Sequence, residues 1–579
     1  MRLKLSILFM VLLGSFFAVQ AQKIGDITFN KLPQDFQLVP RELTNLAAVP
    51  VSGAVTNPAV TGVSVRVLRN GALFAYAKPA LSASKFSSSF SIRAELAEYD
   101  VEVYAFKGVD SSLVVRRKSV VAGDVYYVTG QSNAWIGPID DLVYQGTWVR
   151  SFGLVQANDN YGPYVLADTL WSLPVGRARI GPWAAEIAKQ LFESEKIPMA
   201  FINSAAGGSY IDFHLILSGN VTSPITGGDI MYYKALKSGT ISKVRGIIFR
   251  QGEGEVALEN GTPNLWGTKF LALKDKWLKY FPSVEKIFLP QLNVYEYRYD
   301  LAAISRENQR KYHAQDPMIR GYATVGTLGF DRLHYSNAGY RQSGQELARI
   351  MLKEMYGQKL SPQIYSPNIQ RAYFNSRSER DKLYLEFEEG QEMVATLDTT
   401  VRDEQGNLQS RRLGQNFFWD DFNAKSFDSF ITNIEVEGRK VILTFKEPYD
   451  RNVISYLPDY HREFEAFKKS YAFPGPFLKN KMGMRAFGFT RFPVGYKDEQ
   501  FIEYTIYPNP SKDVVNIQWS NFVDGVVDVF SMSGLKIYSQ QIEGVKTAQF
   551  PVSTWSRGNY FVQFTSLDGR KVTKRLAVN

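Results

Sequence analysis

Between residues 22 and about 122 the chain alternates apolar and polar positions in short runs. Val63-Ser64-Val65-Arg66-Val67 is one, and Tyr99-Asp100-Val101-Glu102-Val103-Tyr104 is another. Phe86, Phe90 and Ile92 keep one phase across a third, which ends at Arg93. Period two punctuated by Gly and Pro predicts a small β-sandwich. From 123 to 357 the pattern changes. Apolar runs at Gly123–Val128, Met199–Asn203, Val244–Phe249 and Lys286–Leu289 are separated by stretches of helical spacing. Trp183, Ile187 and Leu191 mark one such helix, and Tyr340–Tyr356 closes the region as another. Strands alternating with helices predict an α/β fold, a mostly parallel sheet covered on both faces. Residues 358–500 return to strand-like runs, such as Lys440–Phe445, and are read as a β-rich accessory domain. Residues 501–579 form a separate small β-module.

The first residues change the picture most. Arg2 and Lys4 precede an apolar run from Leu5 to Val19, and Val19-Gln20-Ala21 is a small-residue cleavage pattern. Residues 1–21 are therefore expected to be a signal peptide. The run is shorter than the ~20 apolar residues of a spanning helix, so no membrane span is expected in the mature chain. The absence of cysteine removes disulfides, thiolate metal sites and Cys nucleophiles. The net charge of +10 is spread over 579 residues without a dense Lys/Arg block, which argues against a nucleic-acid partner.

Chemistry begins with the four histidines, His214, His313, His334 and His461. A serine nucleophile needs a base near neutral pKa. His334 lies in the turn-like stretch Asp331-Arg332-Leu333-His334, where the Asp331 carboxylate can curl back to orient the ring. Ser132 follows the apolar run Val125–Val128 in Thr129-Gly130-Gln131-Ser132-Asn133, at a strand's carboxyl end, where parallel sheets bind ligands. It lacks the G-x-S-x-G elbow of common α/β-hydrolases. Two further strand ends fit the same mouth. Gly207-Gly208 lets backbone N–H groups approach an oxyanion. In Arg250-Gln251-Gly252-Glu253, Gln251 is a candidate oxyanion donor and Glu253 a candidate to orient the base. Asn158-Asp159-Asn160 is a weak Ca²⁺ motif better read as a polar loop, and no cofactor or metal site is expected.

Taken in this order and spacing, G-Q-S-N, the Gly-Gly turn, Q-G-E and D-x-x-H resemble the sialate O-acetylesterase and acetylxylan-esterase branch of the SGNH hydrolases. The resemblance covers residues 123–357. It implies a flavodoxin-like α/β/α three-layer domain, here flanked by β-sandwich domains, and metal-free deacetylation of carbohydrate esters. Ser132 is then the nucleophile, His334 the base and Asp331 its orienting acid. The N–H groups of Ser132 and of Gly207 or Gly208, with Gln251, form the oxyanion hole. Some relatives use the Q-G-E carboxylate instead, which keeps Glu253 beside Asp331 as the triad acid. Arg250 stands where one branch has His, and Ala134 where some relatives have Met; both bear on the subfamily and the sugar.

The last module resembles the sorting domain of the Bacteroidetes type IX secretion system through Tyr507-Pro508-Asn509-Pro510, Gly534, Gly558-Asn559-Tyr560 and its basic tail. That implies the secretion machinery as a partner and a secreted or surface location. Two other readings stay open: a non-catalytic carbohydrate-binding surface protein on a hydrolase scaffold, and a lipase-type esterase. The series Ser82-Ala83-Ser84-Lys85, Ser218-Gly219-Asn220 and Lys237-Ser238-Gly239 mimics penicillin-binding enzymes. It is split across two expected domains, with Ser82 in a β-rich segment rather than at a helix start.

Overall fold

One strand, β1 (Asp110–Gly130), ties the fold together. The computed structural model describes residues 22–135, 146–154, 169–219, 224–257, 262–295, 302–402, 407–418, 429–459, 475–497, 504–566 and 571–579. The expected signal peptide, Asn158-Asp159-Asn160 and His461 lie outside them. Up to Ser119, β1 is exposed or half-buried and pairs antiparallel with Tyr99–Lys107. From Val121 every residue is buried, and the strand enters a parallel sheet. The strand expected from Gly123 is thus the second half of a longer one. It runs through the position where the hydrophobic pattern changes.

The N-terminal strands behave as their alternation requires. Ile27, Phe29, Val49, Val51, Phe86, Phe90 and Ile92 from one sheet, and Val63, Val65, Val67, Val101 and Val103 from a second, share a core. Beyond them lie β2 (Val149–Phe152), β3 (Met199–Asn203), β4 (Val244–Arg250), β5 (Lys286–Phe288) and β6 (Ile319–Arg320). With β1 they form a parallel sheet in the order β2-β3-β1-β4-β5-β6. Leaving β2 aside, which pairs on its outer side with the antiparallel Trp171–Ser172, the chain order is 2-1-3-4-5, one common arrangement of doubly wound sheets.

The period of two sends side chains to opposite faces. Tyr126, Val128 and Phe201 pack with Trp183, Ile187 and Leu191 of α2 (Pro182–Glu195) and Leu347 and Met351 of α8 (Asn337–Tyr356). Val125, Tyr127 and Ile202 pack on the other face with Met231 and Ala235 of α4 (Gly227–Lys237) and Trp266, Phe270 and Trp277 of α6 (Pro263–Tyr280). The molecule is a mixed α/β protein with much sheet. Helix α8 starts three residues before the expected Tyr340, because Ser336 caps it by accepting the Gly339 N–H at 3.3 Å.

Residues 369–496 contribute a seven-stranded sheet. A buried ion pair, Arg485–Glu346, joins this region to α8. Residues 373–380 and 495–579 make up a second compact unit. Its five-stranded sheet has its own core of Val515, Ile517, Trp519, Val527, Val529, Val562, Phe564 and Leu576. Gly534, at φ 83°, supplies the left-handed turn between the long strands Val514–Ser531 and Lys536–Pro551. No described helix is long and apolar enough to cross a membrane.

Candidate active site

Three parallel strands end side by side, and each is followed by a turn that the sequence marks with glycine. After β1, Gly130 sits at φ 127°, and a Cβ there would lie 2.0 Å from the Arg250 carbonyl oxygen. Only glycine lets β1 leave the sheet this close to β4. Ser132 then opens the short helix α1 (Ser132–Trp135). Its N–H is one of the first N–H groups of a helix, which have no partner within the helix. Trp183 Nε1 braces the helix by donating to the Ala134 carbonyl at 2.9 Å.

The Ser132 hydroxyl, in a residue only 7% exposed, lies 2.9 Å from His334 Nε2. The two are 202 residues apart in sequence. His334 belongs to a tight loop closed by Asp331 N–H to the His334 carbonyl at 2.9 Å and by Ser336 N–H to the Gly329 carbonyl at 2.8 Å. Within it Arg332 is held at φ 99°, a conformation side-chain-bearing residues rarely adopt. The Asp331 carboxylate accepts from the backbone N–H groups of Leu333 (3.0 Å) and His334 (2.7 Å). It therefore shapes the turn that presents the ring, and its bonds in this structure are to the backbone.

Glu253 starts α5 (Glu253–Ala257) and is 2% exposed. Its Oε1 accepts from Asn133 Nδ2 at 2.8 Å. The buried Tyr295 hydroxyl faces Glu253 and interacts with its carboxylate. Burial, and then the charge of Glu253, push that phenol well above its ordinary range.

Asn133 is the hub of this arrangement. It is fully buried and donates to Glu253 and to the Leu333 carbonyl (2.9 Å), while its own carbonyl accepts from Tyr340 (2.8 Å). One side chain thus joins the residue beside the nucleophile to the Glu253 helix, the His334 loop and α8. Gln131 does similar work on the other side, its Oε1 accepting from the N–H groups of Gly252 (3.3 Å) and Gly254 (2.9 Å). Both residues lie inside the G-Q-S-N segment, but nothing in their local spacing points to these partners.

Gln251 is 1% exposed and densely bonded. Its Oε1 accepts from Trp266 Nε1 at 2.7 Å. Its amide nitrogen donates to the Ser209 carbonyl at 3.2 Å and to the Glu255 carboxylate. Both hydrogens are therefore engaged. The Ala206–Ser209 turn is stitched to the end of β1 by Ala206 N–H to the Gly130 carbonyl at 2.9 Å. Gly208 is exposed, at φ 68°, and Gly207 is half-buried. Neither glycine N–H has an acceptor among the described residues.

Arg250 is 2% exposed, with its guanidinium over the rings of Tyr335 (4.8 Å), Trp183 (5.3 Å) and Tyr340 (5.7 Å). Its two terminal nitrogens have no hydrogen-bond partner among the described residues. A cation held by aromatic faces fits a planar guanidinium. His313, on α7 (Ala302–Gln315), is buried away from this mouth and accepts the Gly321 N–H at 3.1 Å through Nδ1. No cluster of metal-ligating side chains exists among the described residues.

Two buried groups near the turn make stability depend on pH in opposite senses. Burial pulls the His214 pKa down to about 3 from 6.5 and pushes that of Glu255 up to about 6 from 4.5. Folded His214 binds fewer protons than the unfolded chain below its ordinary pKa of 6.5, so stability is lost as pH falls from there toward about 3. Folded Glu255 binds more between 4.5 and 6, so stability is regained as pH falls through that window. Each slope is about 1.4 kcal/mol per pH unit, so the two cancel there and His214 acts alone below it. The stability difference between wild type and His214→Gln should then shrink by about 1.4 kcal/mol per unit below pH ~6.5. Urea unfolding of both at several pH values reads this directly. A pH-independent difference would contradict a neutral His214.

Residues 505–579 match a family model described as a secretion system C-terminal sorting domain. The type IX sorting module expected from the sequence is thereby present, and it marks a secreted or cell-surface protein. Comparison with curated proteins finds no match. Among solved structures, the chain is similar to a carbohydrate acetylesterase from Xanthomonas citri. Identity is 18% and the TM-score 0.52, over 80% of this chain and 99% of that one. At that identity the likeness is one of fold. A protein from Arabidopsis thaliana matches at 15% identity over 40% of this chain and 98% of its own, with a TM-score of 0.29. A family two carbohydrate esterase from Clostridium thermocellum, solved with cellohexaose, matches at 11% over 54% and 94%, with a TM-score of 0.28.

Proposed function

We propose that the protein is a secreted carbohydrate O-acetylesterase of the SGNH type, similar to sialate O-acetylesterases, acting through Ser132 and His334. The observation that carries the reading is the 2.9 Å contact between Ser132 Oγ and His334 Nε2 at the carboxyl end of the sheet. Ser132 attacks the ester carbonyl carbon while His334 Nε2 takes its proton. The charge that develops on the carbonyl oxygen is met by the N–H groups of Ser132 and of Gly207 or Gly208. Gln251 reaches that oxygen only by giving up its bond to the Ser209 carbonyl or to the Glu255 carboxylate. The proton then passes from His334 to the departing sugar oxygen. A water, deprotonated by the same ring, releases acetate and frees Ser132. Asp331 is the proposed acid behind His334, with Glu253 as its rival.

The likeness in fold to the Xanthomonas citri carbohydrate acetylesterase supports this reading over a lipase-type esterase, and the sorting module supports its being secreted. The test is release of acetate from a panel of acetylated sugars, sialic acid and xylan fragments included. Nitrophenyl esters of acetate and of a long acyl chain are assayed in parallel. Acetate release from sugars with little long-chain activity is expected. Binding of the glycans without hydrolysis would replace the reading with a non-catalytic carbohydrate-binding protein. Preference for the long acyl ester would replace it with a lipase-type enzyme.

A further inference from the structure

Beside the proposed catalytic pair lies a second serine–histidine contact. Ser209 Oγ and His214 Nε2 are 2.8 Å apart, and both residues are buried, at 8% and 1% exposure. Ser209 ends the Gly207-Gly208 turn, and His214 lies on the short helix α3 (Ile211–Leu215) that follows it. Exposure alone does not separate Ser209 from Ser132, but the Ser209 hydroxyl lies 2.8 Å from the Ala206 carbonyl and its ring partner is enclosed at 1% exposure, so the contact asks for another role.

The direction of the hydrogen bond follows from counting protons. Ser209 Oγ carries one hydrogen and has two carbonyl oxygens around it, Ala206 at 2.8 Å and Gly130 at 3.5 Å. A carbonyl only accepts, so the Ala206 contact is a hydrogen bond only if the hydroxyl donates to it. The remaining contact is a hydrogen bond only if the ring nitrogen donates. Both contacts are hydrogen bonds together when His214 carries a proton on Nε2, and burial favours the neutral ring, which leaves Nδ1 bare. Three further features agree. Nδ1 has no partner among the described residues. It faces backbone, since a Cβ at Gly227 would lie 2.4 Å from it. The ring stands edge-on to Phe213 and Phe249, at 5.4 and 5.6 Å, in surroundings that disfavour a charge.

We infer that His214 is a positioning residue for the oxyanion-binding turn, holding Ser209 by its Nε2–H so that the Gly207 and Gly208 N–H groups keep one direction. The inference rests on the esterase reading. The chain of contacts is short. His214 fixes Ser209 Oγ, which fixes the Ala206 carbonyl; the Ser209 carbonyl in turn takes the Gln251 amide, and Ala206 N–H grips Gly130, two residues before the nucleophile. Gly208 is exposed and left-handed, and the turn around it is closed by Ser209 alone, through a long N–H bond to the Ala206 carbonyl at 3.4 Å and the hydroxyl that His214 holds.

The test uses the full chain, an acetylated sugar as substrate, and a temperature well below every variant's Tm. His214→Phe keeps an aromatic ring and removes the donor. It is expected to lower kcat roughly 10–100-fold with KM changed less than about two-fold, since donors aimed at the developing charge act on the transition state. His214→Gln, which can donate from its own amide, should recover most of the loss. Ser209→Ala removes the same bond from the smaller partner and should reproduce the loss, so it decides the matter if His214→Phe does not fold. Wild-type kcat in His214→Phe or Ser209→Ala would overturn the inference, as would equal loss in the Phe and Gln variants. If wild type releases acetate and Ser132→Ala does not, such a result removes the positioning role alone. If wild type releases none, it is the esterase reading that fails.

Discussion

Ser132→Ala is expected to lower kcat for acetate release by about 10⁴-fold or more, leaving only what backbone donors and substrate binding contribute. The substitution removes one hydroxyl whose partner, His334 Nε2, is half-exposed and can turn to water. The loss of stability should therefore stay within about 1 kcal/mol, and the variant should fold as wild type does. That pairing of a large kinetic effect with a small thermodynamic one separates a nucleophile from a structural serine. Acetate release and urea unfolding, run on the same preparations, read both. A variant that keeps wild-type turnover would end the serine-esterase reading, and a dead variant that is also unfolded would call for Ser132→Gly in its place.

The second large effect concerns the carboxylate behind His334. Asp331→Asn is expected to lower kcat toward the ~10⁴-fold loss seen when the orienting acid of a triad is neutralised. The amide oxygen of the substituted side chain would still accept the N–H groups of Leu333 and His334, so the loop should persist and the charge alone be lost. Glu253→Gln is expected to cost much less, because its carbonyl can still accept from Asn133 Nδ2. Burial weighs on the other side. Glu253 is buried, and a buried carboxylate acts more strongly on an imidazolium than an exposed one. Asp331 is exposed and already bonded to two backbone N–H groups. Comparing kcat for the two variants decides between them. If Glu253→Gln loses more than Asp331→Asn, Glu253 is the acid and Asp331 shapes the loop.

The outcome turns on a distinction that runs through the whole molecule. Alternation of apolar residues, glycine at strand ends and helical spacing at Trp183, Ile187 and Leu191 are local properties, and the strands and helices they predict are present. Where local signals misled, the cause was a neighbour. Strand β1 runs on from Ser119 into the parallel sheet because the residues after it are covered on both faces. Helix α8 begins at Asn337, three residues before the expected Tyr340, because Ser336 caps it.

By itself the sequence determined which side chains stand at which strand ends: Ser132 after Gly130, Gly207 and Gly208 after Asn203, Gln251 and Glu253 after Arg250. It could do so because strand, turn and helix are set within a few residues. Only the tertiary structure decided what each of those groups touches. Ser132 meets His334 across 202 positions, and Asn133 meets Glu253, Leu333 and Tyr340 across 120, 200 and 207. Those partners are chosen by the order of strands in the sheet and by which helix covers which face. Hydrogen bonds are short and directional, so a choice made at that scale fixes which groups can meet.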